Sequence, residues 1–235
     1  MEQLQLKNLT VGEIVANDFR TAATFKKAGI DFCCGGKQSF SDACAQNGID
    51  AIELENEIIE IASEPQNEFM NFKNWDPVFL SNYIVNTHHK YVLKTLPELV
   101  FYTQKIATVH GENHTELVEV AGLFQQINTE LQQHLKNEEE VLFPAIKKVI
   151  EENQAGAKKT VVSEITRMFG EHDFAGGAMD KINQITCGYK LPEDACNTYR
   201  VAFQLLEQFE DDLHAHVHLE NNILFPKALE LAEKA

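Results

Sequence analysis

No stretch of this chain is apolar for long enough to cross a bilayer, so a membrane protein is not expected. Its opening, Met-Glu-Gln-Leu-Gln-Leu-Lys-Asn, lacks a basic region followed by an apolar one, so secretion is not expected either. Basic residues are scarce: 20 Lys and Arg face 36 Asp and Glu, for a net charge of −16. That balance disfavours nonspecific nucleic-acid binding, because a phosphate backbone would be repelled. It serves solubility, and could also draw metal cations or the basic patches of partners. Cysteine is sparse and odd in number, with 5 in all and two adjacent, which does not read as a disulfide framework and fits a reducing cytoplasm. Apolar residues are not lacking: at 44% of 235 residues they suffice for one sizeable core and a small accessory domain.

Two segments read almost as copies. His134-Leu-Lys-Asn-Glu138 runs on to Val141-Leu-Phe-Pro144, and His216-Val-His-Leu-Glu220 runs on to Ile223-Leu-Phe-Pro226. An offset of four places imidazole and carboxylate on one helical face, one turn apart. Both pairs interrupt seams of apolar residues spaced by three and four. The first seam is Leu117, Val120, Phe124, Ile127, Leu131, His134, Glu138, Val141, Ala145, and the second is Tyr199, Ala202, Leu206, Phe209, Leu213, His216, Glu220, Ile223. Polar groups at core positions cost several kcal/mol unless satisfied, and a bound metal satisfies both at once.

If the motif is duplicated, further ligands should recur at a similar separation, and His89 and His172 do. Seams run through each: Val85, His89, Val92, Leu96, Leu99, Ile106, and Val161, Ile165, Met168, His172, Ala175, Met179, Ile182. The seam through His88 contains Ser81, Thr95, Glu98 and Lys105, so His88 is expected at the surface. His214 and His218 are expected to face solvent or to lie behind the ligands. Ligands at one height on antiparallel neighbours are equidistant from the connecting turn. The midpoints fall at His110-Gly-Glu-Asn113, at Glu152-Asn-Gln-Ala-Gly156 and beside Leu191-Pro-Glu-Asp194, all rich in turn residues.

The expected fold is therefore all-α: an up-down-up-down four-helix bundle over residues 73–235, preceded by a small helical domain over 1–62 and a linker over 63–72 around Pro65. It would bring His89, His134, Glu138, His172, His216 and Glu220 to one level. Four imidazoles and two carboxylates are too many for one tetrahedral zinc and too nitrogen-rich for magnesium or calcium. Two first-row ions fit, with iron favoured over manganese by the imidazole content. Bridging glutamates would leave room for an oxo or hydroxo bridge and an exogenous molecule. Pro97, Pro144 and Pro226 are expected to bend or end their helices.

The amino-terminal region has a different texture. Thr10 with Glu13 should box a helix running to about Gly29, Ser39 or Ser41 should cap one containing Cys44, and Asp50 with Glu53 should start another. Between them, Asp31-Phe-Cys-Cys-Gly-Gly-Lys37 suggests an exposed, unusual turn. Its adjacent thiols are expected to be reduced, since a disulfide between neighbours is strained. Lys37 and a nearby helix amino terminus would lower a thiol pKa, equipping Cys33 and Cys34 for electron exchange or transient iron holding. The plain alternative is that they fill a corner. Cys187 and Cys196 bracket the third turn and are expected to come close as structural thiols.

The His-x-x-x-Glu order resembles hemerythrin rather than the Glu-x-x-His of ferritin-like di-iron proteins, which ranks a ferritin-like oxidase last. Hemerythrins carry another histidine four residues after the third-helix ligand, where this chain has Gly176; oxygen carriage is thereby put in question. Together with the cysteine segment, the pattern resembles the iron-sulfur cluster repair di-iron proteins, the RIC family that includes YtfE, ScdA and DnrN, over nearly the whole chain. The resemblance implies a cytoplasmic, often dimeric protein that restores clusters damaged by nitric oxide or oxidants, with damaged iron-sulfur proteins as partners and nitric oxide or O2 as small ligands. It implies a non-haem di-iron centre on the six residues named above, able to donate iron or to capture or reduce nitric oxide. It also places Glu130 and Glu171 among glutamates near the centre. A hemerythrin-like module that binds or senses gas without repairing anything is the other reading.

Overall fold

The computed structural model describes residues 6–65, 71–152 and 154–233, which are largely helical and contain no β-strand. They form two compact units, one of residues 81–214 and one of residues 1–80 with 215–235. The linker core at 66–70 lies outside the described residues.

The expected antiparallel rods are present. The first comprises α5 (Pro77–Ile84), a π turn (Val85–His89) and α6 (Lys90–His110). The second comprises α7 (Glu116–Asn137), a π turn (Glu138–Leu142) and α8 (Phe143–Glu152), and the third is α9 (Ala155–Ile185). The fourth comprises α10 (Asn197–Leu219), a π turn (Glu220–Leu224) and α11 (Phe225–Glu233). Within residues 81–214 the seams face inward as their spacing requires. Leu99, Ile106, Val120, Ile127, Val161, Met179 and Leu206 are fully buried, and Phe124 meets Phe209 edge to face with centroids 5.4 Å apart. Each such side chain contributes about 1.5–3 kcal/mol by leaving water.

The π turns change the register, because each inserts one residue and slips the seam by one position. Val141, placed in the core by simple periodicity, is 39% exposed, and Leu142 is buried instead. At the first π turn both His88 and His89 turn inward, so the surface position expected for His88 is incorrect: it is buried, with Nδ1 2.9 Å from Asp212. Two of the π turns directly precede Phe-Pro. Proline has no N–H to return to the preceding turn, and the widened backbone absorbs the lost bond. The helices therefore continue through Glu152 and Glu233 rather than stopping, and α6 likewise runs through Pro97.

In the other unit, Thr10 and Glu13 form the reciprocal cap of α1 (Val11–Asn17). The helix expected to reach Gly29 breaks at Asp18, whose extended backbone and side chain bonded to the Arg20 N–H start a new turn leading to α2 (Ala22–Lys27). Ser39 caps α3 (Phe40–Asn47), which carries the buried Cys44, and Asp50 caps α4 (Ala51–Ser63). Phe25 and Phe40 are fully buried and pack edge to face.

The paired glycines between α2 and α3 serve close approach rather than unusual dihedrals, since only Gly29, Gly48 and Gly188 among the described glycines have positive φ. A Cβ on Gly36 would lie 2.6 Å from Asn222 Oδ1, and one on Gly12 would lie 2.2 Å from that atom and 2.9 Å from the Gly36 carbonyl oxygen. Asn222 donates to the Phe32 and Cys33 carbonyls at 3.3 and 3.1 Å, fixing the cysteine loop to the carboxyl-terminal segment. Gly12→Ala gains about 1 kcal/mol of helix propensity, but the methyl has no room. A net destabilisation of about 1–3 kcal/mol is expected, seen as a thermal midpoint several degrees lower by circular dichroism; an unchanged or higher midpoint would contradict this packing.

Candidate metal centre

On the second rod, His134 closes α7 and Glu138 opens the π turn, one helical turn apart and both buried. The first rod brings His89 Nε2 to 3.4 Å from Glu138 Oε2, and His134 Nε2 approaches the same oxygen at 3.3 Å. From α9, His172 places its Nε2 3.2 Å from that of His134, the rings edge to face. Ligand atoms of His134, Glu138 and His172 all lie within 4.8 Å of one another.

The outward nitrogens explain why the inward ones are acceptors. His89 Nδ1 is 2.8 Å from Glu139, and His134 Nδ1 is 2.7 Å from Glu171. A carboxylate accepts a hydrogen bond from Nδ1–H, which fixes the tautomer and turns the Nε2 lone pair inward, an arrangement common to metal-binding histidines. Glu171 is steadied by Arg167 at 3.1 Å, and its hydrogen bond with His134 holds its pKa below the usual carboxylate range. Phe143 stacks on the His89 ring, limiting its rotation. The Nε2 lone pairs of His89 and His134 thus face a carboxylate oxygen at 3.3–3.4 Å in a dry site. Such a set repels itself unless a proton or cation lies between, and mixed nitrogen and oxygen donors suit a first-row transition ion.

His216 and Glu220 repeat the geometry at the end of α10, both buried, with Nε2 and Oε1 3.1 Å apart. His218, expected to face solvent or to lie behind the ligands, is fully buried: its Nδ1 lies 3.3 Å from the Phe32 carbonyl oxygen, and its ring meets Phe19 and Phe32. Burial pushes its pKa down to about 4, so it stays neutral in this pocket.

The cysteine loop winds around Asp31, whose carboxylate accepts from the N–H groups of Cys33 and Gly35 at 2.8 and 2.7 Å. Cys33 is buried and Cys34 half-buried, their sulfurs 4.0 Å apart, and the Cys33 thiol lies 3.1 Å from Asp31. The Cys34 contact, burial and the Asp31 charge together raise the Cys33 pKa well above the ordinary thiol value. For Cys33 this is the opposite of the lowering expected from Lys37 and a helix terminus, because the neighbouring thiol and burial, and then the Asp31 charge, all disfavour its thiolate. None of the five cysteines forms a disulfide. Cys187 and Cys196 are exposed, and Cys196 pairs with His110 Nε2 at 3.2 Å, which brings its thiol down to about 7.

Of the two further glutamates, Glu171 reaches His134, whereas Glu130 is exposed on α7 with no hydrogen bond or ion pair to the cluster among the described residues. Periodicity missed Glu139, Asp212 and Asp31. Glu139 and His88 are turned to their partners by π turns, for which Phe-Pro downstream was the available sign at the second rod; Asp31 is an Asx cap before a glycine turn.

Comparison with known proteins completes the picture. Residues 7–62 match the ScdA_N family, described as a domain of unknown function (DUF542), and residues 81–228 match the hemerythrin HHE cation binding domain. The iron-sulfur cluster repair protein YtfE of Musicola paradisiaca (strain Ech703) is 34% identical over 229 residues, 96% of this chain and 98% of the relative. Proteins of the same name from Yersinia pestis (strain Pestoides F) and Yersinia pseudotuberculosis (serotype O:1b, strain IP 31758) are also 34% identical, over 96% of this chain and 99% of theirs. No helix among the described residues is long and apolar enough to cross a membrane. With both domains and nearly the full length matched, this chain belongs to the YtfE family of iron-sulfur cluster repair proteins.

Proposed function

We propose that this protein helps to restore iron-sulfur clusters damaged by oxidative or nitrosative stress, working in the cytoplasm through a non-haem di-iron centre. The observation that carries the reading is the buried convergence of His89, His134, His172 and Glu138, two of whose imidazoles are held from behind by carboxylates. The duplicated His216–Glu220 pair, lying within the matched cation-binding domain, would supply the remaining ligands. In this reading the four histidines, with Glu138 and Glu220, would hold two irons.

Bound iron supplies redox and Lewis-acid chemistry, together with a labile ion for rebuilding a cluster. The protein's own groups set the conditions. Glu139 and Glu171 keep the proton on Nδ1 of His89 and His134, which orients Nε2 of each ring toward the site. The dry walls exclude competing water, and Phe143 maintains the ring orientation. Cys33 and Cys34 are the thiols proposed to handle iron or electrons in transfer to a damaged protein. The raised Cys33 pKa means that a positive partner, such as an approaching iron ion, is needed to form its thiolate.

Glu138→Leu or Glu220→Leu should lower iron content measured by plasma emission while leaving far-ultraviolet helicity unchanged; full iron retention by both would remove the two glutamates from the ligand set. Glu171→Gln, which keeps the shape but weakens the hold on the His134 proton, should reduce iron affinity by about 10–100-fold in a chelator competition, and an unaltered affinity would deny it a role. The Cys33→Ala, Cys34→Ala double variant should keep iron and its visible absorption yet lose most reactivation of a damaged hydratase. Complete reactivation by that variant would reduce both thiols to packing.

A further inference from the structure

A second group of ligand-type side chains lies along the packing seam of α9 and α10, within residues 81–214. Asp180, eight residues beyond His172, stands about 12 Å further along α9. Its carboxylate, that of Glu210 and the His214 imidazole offer ligand atoms within 4.8 Å of one another. Asp180 is exposed, His214 half-buried and Glu210 only 2% exposed, so the group forms a short path from surface to interior.

Glu210 is an unusual choice for that interior place. Asn183 donates its amide to both carboxylate oxygens, at 3.1 and 3.0 Å. A second observation points the same way. Tyr189 is 7% exposed, and its buried hydroxyl makes no hydrogen bond of normal geometry. Burial and then the Glu210 charge drive its pKa upward, which places the phenol beside that carboxylate. The backbone delivers this ring at a cost: Cys187, Gly188 and Tyr189 have φ of 53, 71 and 57°, and a non-glycine residue in that region costs on the order of 1–2 kcal/mol.

We propose that Asp180, Glu210 and His214 form a cation site separate from the six-residue centre, taking a single Fe2+ or Mn2+. Two carboxylates and one imidazole with open positions for water suit these ions better than zinc or copper. Asp180 and His214 receive the ion from solvent, Glu210 holds its inner face, and the Tyr189 hydroxyl is placed to hydrogen-bond to the Glu210 carboxylate or a water on the ion.

The test is a Mn2+ titration of protein loaded with two irons per chain and no more, followed by the electron paramagnetic resonance signal of free Mn2+. Wild type should take up one Mn2+ per chain beyond its iron. Asp180→Asn, at an exposed position that leaves the fold intact, should weaken that uptake about tenfold or more without changing iron content or visible absorption, and Glu210→Gln should do the same. No additional Mn2+ bound by wild type at millimolar concentration, or wild-type uptake by both variants, overturns the proposal.

Discussion

Lone pairs facing lone pairs inside a dry core are the constraint on which this structure depends. His89 and His134 direct Nε2 at one oxygen of Glu138, and His172 directs its own at His134, all at 3.2–3.4 Å. Glu139 and Glu171, by holding the Nδ1 protons, commit two of those nitrogens to accepting. Without a cation the cluster would cost several kcal/mol in desolvation and repulsion, so metal binding and the stability of this layer are coupled. The apolar layers of α6, α7, α9 and α10 on the far side of it, centred on Leu99, Val120, Phe124, Met179 and Phe209, keep the four rods in register regardless.

The carboxyl-terminal segment links two kinds of chemistry. His216 and Glu220 share their helix with His218 and Asn222, and the latter two contact the carbonyls of Phe32 and Cys33. Cys33 and Cys34 are thus anchored to the backbone that carries two of the proposed iron ligands. Gly12 and Gly36 allow the approach, since neither position has space for a methyl group. The polar contacts would lose their partners if either segment moved alone, which makes the loop and the helix end one mechanical element.

Most of the architecture was legible in the spacing of apolar residues. Seams at three and four gave the rods, and ligand-type residues within them marked His89, His134, Glu138 and His172, which the structure brings together. What spacing could not reveal were the π turns, because an inserted residue leaves no gap in composition. They bury Leu142 in place of Val141, turn His88 inward and let the helices pass Pro144 and Pro226. The thiol environment was misjudged for a related reason: Lys37 is near in sequence, but Asp31 is the charge that the folded loop brings to Cys33. The glycines of the same loop were read as dihedral requirements and are steric ones.

The central claim is that the buried imidazoles and carboxylates hold a coupled pair of irons. Metal analysis combined with Mössbauer spectroscopy on protein purified without oxygen tests it most directly. Two irons per chain with the signature of antiferromagnetic coupling after oxidation are predicted; protein that retains only zinc, a single uncoupled iron or no transition metal would contradict it.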